Sequence, residues 1–93
     1  MADSPQNDRR FEEFVFLQSQ NAGLFLGHLP HPATGERSVN LRAARSVLDS
    51  LEMLELKTRG NLTPAEQQLL ATALHHLRPL VEQAAHAGDP THP

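Results

Sequence analysis

The sequence predicts an all-α fold of three helices, and three observations carry the prediction. Apolar residues recur at three- and four-residue steps in three segments, about 10–26, 41–59 and 64–85. Helix stop and start signals fall between these segments. The last two segments lie so close in sequence that they must run antiparallel, as an αα-hairpin on which the first helix packs.

The hairpin turn is the most legible stretch, Lys57-Thr58-Arg59-Gly60-Asn61-Leu62-Thr63-Pro64-Ala65-Glu66. Lys57 and Arg59 sit in a last helical turn, where cations complement the helix dipole. Gly60 stands where a helix ends on a positive φ. Thr63 suits an N-cap, Pro64 the first helical position, and Glu66 completes a Thr-x-x-Glu capping box.

Composition sets the outer limits. The chain has 93 residues and a formal charge of −3, which is one domain at most. Residues 1–9 and 87–93 read as disordered tails around a single helical domain at 10–86. Without cysteine, disulfides and Cys-based zinc sites are ruled out. Acidic and basic residues are interspersed, and no basic face of the kind nucleic-acid binding needs is evident. The polar start, Met1 to Arg10, lacks the apolar core of a signal peptide. No apolar run approaches the roughly 20 residues of a membrane span. The expectation is a small soluble protein of the cytoplasm.

In the first helix, Phe11, Phe14, Val15, Gln18, Ala22, Phe25 and Leu29 mark one face, after a cap at Asp8. Phe16, Leu17, Leu24 and Leu26 fall off that face. Phe14-Val15-Phe16-Leu17 is apolar all round, so a short buried strand competes with the helix. Glu12, Glu13, Gln18 to Gln20 and Ala22 favour the helix. Two further helices can hardly enclose an all-round apolar segment. A second subunit on Phe14, Phe16, Leu17 and Leu24 would cover the remainder, which makes a dimer the expected assembly.

Gly27 reads as the end of the first helix, and His28 to Glu36 as a loop held extended by Pro30 and Pro32. Asn40 caps the second helix, with Val39 as a possible staple. Its stripe is Leu41, Ala44, Val47, Leu48, Leu51, Leu54 and Thr58, with Met53 and Leu56 at the margins. The third helix carries Leu69, Leu70, Ala73, Leu74, Leu77, Leu80, Val81 and Ala84. Pro79 predicts a kink, since the apolar spacing continues in phase beyond it. Arg45 with Asp49, Glu55 with Arg59 and Arg78 with Glu82 are spaced for surface ion pairs.

No residue set points to chemistry. Six histidines invite a metal, yet His75 and His76 are adjacent and point about 100° apart on a helix. His28 and His31 lack further ligands at convincing spacing. They leave one alternative, a small-ligand or metal-binding protein using the 28–36 loop. Asp49, Glu52 and Glu55 read as a solvated helix face, and Ser46 and Ser50 have no base beside them. There is no glycine-rich phosphate loop. Neither an enzyme nor a cofactor is expected.

Pro32 with Thr34-Gly35-Glu36, Asn40-Leu41 with Ala44, and Asp49, Leu51 and Met53-Leu54 form a recognisable order. Lys57-Thr58, Gly60-Asn61-Leu62-Thr63 and Glu66 complete it. From Phe14 to Arg78 the chain resembles a bacterial family of uncharacterised proteins, the domain of unknown function 1844 family. It departs from that pattern at Asn40, where aspartate is usual, and at Pro79. The resemblance implies the helical layout and a bacterial origin. It implies no substrate, catalytic residue or partner. The Thr34-Gly35-Glu36 and Lys57 to Asn61 stretches carry much of it. They suit turn geometry first, and a polar patch for a partner protein second. The reading is therefore a non-enzymatic helical interaction module that forms a homodimer, or an accessory subunit docking on another protein.

Overall fold

The structure, a computed structural model, describes residues 6–87. It contains three helices, α1 (Arg9–Phe25), α2 (Leu41–Thr58) and α3 (Pro64–Ala87). The phenylalanine-rich segment is helical throughout, so the competing strand does not form. Residues 1–5 and 88–93 lie outside the described residues, so most of both expected tails is not described. At the described part of the first tail, Gln6 to Asp8 lead directly into α1.

Each helix boundary has a chemical cause. Asp8 caps α1, its carboxylate accepting from the Arg10 amide at 2.9 Å. At the other end, the Gly27 N–H reaches the Leu24 carbonyl and the His28 N–H the Gly23 carbonyl, at 3.1 and 2.9 Å. This pair of bonds is a Schellman motif, and Gly27 adopts φ +79° to make it. A side chain at Gly27 would also crowd Val39, whose Cγ2 lies 3.2 Å from the position of an added Cβ. Asn40 caps α2 by accepting from the Ala43 amide at 3.1 Å.

The hairpin turn has a definite type. Arg59 lies at φ −57°, ψ 127°, Gly60 at φ +87°, and the Asn61 N–H donates to the Thr58 carbonyl at 2.8 Å. This is a type II turn, which requires positive φ at its third residue. The Thr58 hydroxyl donates back to the Leu54 carbonyl at 2.7 Å. Thr63 and Glu66 form the capping box in both directions, at 3.0 and 3.1 Å.

The core is one stripe from each helix. Val15 and Ala22 of α1 meet Val47 and Leu51 of α2 and Leu70, Leu74 and Leu77 of α3. A second cluster joins Leu26, Ala44 and Val81, with Phe25 and Leu48 bridging the two. The second cluster brings together the end of α1, the start of α2 and the far half of α3. The helices therefore run up, down and up, with α1 against both members of the hairpin.

Several expectations are corrected. Phe14 and Leu29, placed on the core stripe, are 44% and 43% exposed. Leu26, placed off it, is buried, because the chain turns inward after α1 and pairs with Val39. Val39 makes that bridge while its side chain stays exposed. Arg78 pairs with Glu52 of α2 at 2.8 Å and not with Glu82. Arg10 pairs with Asp8 at 2.8 Å, while the expected Arg45–Asp49 and Glu55–Arg59 pairs do not form. Exposed pairs of this spacing are worth only tenths of a kcal/mol, too little to hold two long side chains together. α3 continues past Pro79 as one helix, as its in-phase apolar spacing leads one to expect. The proline's lost N–H bond is tolerated because Leu77 and Val81 anchor the helix on either side.

Leu51→Ala or Leu74→Ala is expected to lower stability by about 2–5 kcal/mol. Leu56→Ala, at a position 63% exposed, is expected to change it by less than about 0.5 kcal/mol. Urea denaturation measures both. A Cβ at Gly60 would meet no neighbour, so Gly60→Ala isolates the backbone strain, expected at about 1–2 kcal/mol.

Candidate functional site

A concavity of about 220 Å³ lies beside the 28–36 loop, lined by Leu24, Phe25, His31, Glu36, Ser38 and Asn40. The cavity beside the hairpin turn, lined by Glu55, Thr58, Leu62, Gln67 and Leu70, holds about 70 Å³. Small-molecule sites are usually several hundred Å³. Larger concavities are open grooves, one between α2 and α3 lined by Gln68, Thr72, His75 and Arg78. Another lies along α2 beside Leu41, Arg42 and Arg45. Among the described residues, no group of three or more His, Asp or Glu side chains is placed to hold a metal ion.

The two loop histidines are separated by role. His31 is built into the loop. Its Nδ1 accepts from the Ala33 amide at 3.1 Å, its N–H donates to the Glu36 carbonyl, and its carbonyl accepts from the Gly35 N–H, both at 2.7 Å. Thr34 closes the turn by accepting from the Glu36 amide at 3.2 Å. His28 is exposed just past the end of α1. Most of the loop's polar groups are thus engaged in its own shape. At its end, the Asn40 N–H donates to the Phe25 carbonyl at 2.6 Å and seats the loop against α1.

The outward side of α1 is different. Phe16 is 63% exposed, Leu17 52% and Phe14 44%, while Leu24 is half-buried beside the loop. At about 100° per residue, Phe14, Leu17 and Leu24 share one flank with Asn21. Phe16 stands on the opposite flank, with Glu13 and Gln20 between. The four residues thus form one broad face of mixed chemistry, not a single stripe. The face is exposed because small residues, Val15 and Ala22, are the ones that point at the hairpin. Met53 and Leu56 of α2 are also exposed, at 51% and 63%, on a separate helix.

A polar cluster joins the starts of α1 and α3; the sequence marks Asp8, Thr63 and Glu66 as caps but not that they meet. Glu66 Oε1 accepts from the Thr63 amide at 3.0 Å. Its Oε2 accepts from the Asp8 amide at 2.6 Å, across 58 residues. The Thr63 hydroxyl donates to the Asn7 side-chain oxygen. Thr63 and Glu66 are the buried polar residues of the chain's described part, each 4% exposed. Asn40, Gly60, Asn61, Thr63 and Glu66 all hold backbone together, as turn and cap residues should. The partner Asn7 lies in the stretch expected to be a tail, and long-range pairing of that kind leaves no spacing to read.

The same bonds shift two acids. The Arg10 guanidinium and amide, donating to the Asp8 carboxylate, lower its pKa from 3.8 to about 2. The Thr63 and Asp8 amides hold Glu66 below its ordinary value, against the opposing effect of burial. Both groups favour the charged form in the fold. Their contribution to stability is complete above the unfolded values near 4 and is lost as pH falls through the lowered ones.

The described residues thus define a small all-α protein with a three-helix core. The family model for Domain of unknown function (DUF1844) matches residues 8–80, and the chain belongs to that family. The match runs from the Asp8 cap through α1 and α2 and most of α3, ending just before the buried Val81. No curated protein and no solved structure matches the chain. No described helix is long and apolar enough to cross a membrane.

The denaturant midpoint is expected to be flat above about pH 4.5 and to fall toward pH 2. Glu66→Gln removes one of the two titrations. The stability gap between wild type and variant should therefore narrow as pH drops, which paired denaturation curves at pH 6 and pH 3 test.

Proposed function

We propose that this protein is a non-enzymatic interaction module of the bacterial cytosol, and that it associates with a second copy of itself through the outward face of α1. The observation that carries the reading is the exposure of Phe14, Phe16 and Leu17 in the middle of a helix whose other side is docked. Three large apolar side chains within four residues are a liability in water and a resource in an interface. Glu13 and Gln20 run through the same face, and such a mixture suits a reversible contact more than an obligate one. A twofold pairing of identical α1 faces is closed and self-limiting.

The alternative use of the 28–36 loop for a ligand or metal has less support. His31 Nδ1 already accepts from the Ala33 amide.

Light scattering across a dilution series is expected to show a mass that falls from dimer to monomer. Phe16→Glu and Leu17→Glu should each shift that transition to higher concentration, with helicity and urea stability of the monomer nearly unchanged, since both side chains stand mostly in solvent. A wild type that stays monomeric throughout removes the reading. An accessory role on a different protein is then the one left standing.

A further inference from the structure

The cluster between α1 and α3 has a consequence separate from the association face. We propose that Asn7–Asp8 and Thr63–Glu66 form a single latch, so that the first turns of α1 and α3 open and close together. Neither helix start is complete without the other. Glu66 divides its two carboxylate oxygens between the elements, one on the Thr63 amide and one on the Asp8 amide. Thr63 divides its hydroxyl in the same way. It accepts from the Glu66 N–H of its own helix at 3.1 Å and donates to Asn7.

Asp8 passes the connection into α1. Its N–H is held by α3, and its carbonyl accepts from the Phe11 and Glu12 amides at 3.0 and 3.2 Å. Its carboxylate takes the Arg10 amide and guanidinium. Loosening Asp8 from Glu66 therefore loosens the first hydrogen bonds of α1. In the reverse direction, withdrawing Asn7 and Asp8 leaves the Thr63 hydroxyl proton without its acceptor and Glu66 Oε2 without its donor, at residues each 4% exposed, where unmade hydrogen bonds are most unfavourable. At the far end α1 is held by the Asn40–Phe25 bond and the Leu26–Val39 bridge. The latch is the polar fastening at the near end. An event at residues 7–8, such as capture of this segment by another molecule, would be felt at the start of α3.

Amide hydrogen exchange by NMR on the full chain tests the coupling. Asn7→Ala changes an exposed residue and leaves both local caps chemically intact. Exchange at Phe11 and Glu12 in α1, and at Glu66 and Gln67 in α3, is expected to rise together by about fivefold, the loss of one ordinary hydrogen bond. Glu66→Gln should raise the same two groups, although Glu66 belongs to α3 alone. Asp8→Ala keeps the backbone N–H on Glu66 and removes only the side-chain cap of α1, so exchange should rise at Phe11 and Glu12 and, through the latch, at Glu66 and Gln67 as well. An ordinary capping box predicts that Glu66→Gln loosens α3 only, and that Asn7→Ala does not reach α3. Either result overturns the latch. Should Glu66→Gln unfold the chain, Asn7→Ala decides the matter by itself.

Discussion

Between Thr58 and Pro64 the chain must reverse direction and bring two leucine stripes face to face. Gly60 makes this possible by holding φ +87°, which lets the Asn61 N–H close back on the Thr58 carbonyl. Thr63 then starts the next helix at once. Because the link is so short, Leu51 has no choice but to meet Leu70, Leu74 and Leu77. The groove that results is the surface on which α1 lies. Burial at roughly 25 cal/mol per Å² of apolar area supplies the driving force, and the turn decides where it acts.

α1 is fastened at both ends and packed between them through small side chains. Val15 and Ala22 allow a close approach to the hairpin. The larger Phe11 and Phe25 pack at either end of that contact. This arrangement uses only one side of a segment that is apolar all round. Phe14, Phe16 and Leu17 are left outside. The exposed face is thus a by-product of how few helices the described residues form.

Several polar residues are taken up by the backbone. Asp8, Asn40, Thr58, Thr63 and Glu66 each bond a main-chain amide or carbonyl at a helix end, and His31 and Thr34 do the same in the loop. The lowered acidities of Asp8 and Glu66 have the same origin, since amides that complete a cap also stabilise the carboxylate receiving them.

By itself the sequence determined the helices, their caps and the antiparallel hairpin, because these depend on interactions within three or four residues. Thr63 and Glu66, Asn40 and Ala43, and Thr58 and Leu54 are all within that reach. Periodicity also named most of the core, yet it could not say which part of α1 would be covered. Phe14 fits the helical repeat as well as Val15 does and is nonetheless left outside, while Leu29 lies beyond α1, which ends at Phe25 before the turn at Gly27. The seat of Leu26 depended on where the loop returned, at Val39. The partner of Arg78 depended on which helix came alongside, and it was Glu52 of α2. The junction of Asn7 and Asp8 with Thr63 and Glu66 spans more than fifty residues. Contacts of that kind have no signature along a chain, because they exist only once α1 and α3 lie side by side and start at the same end.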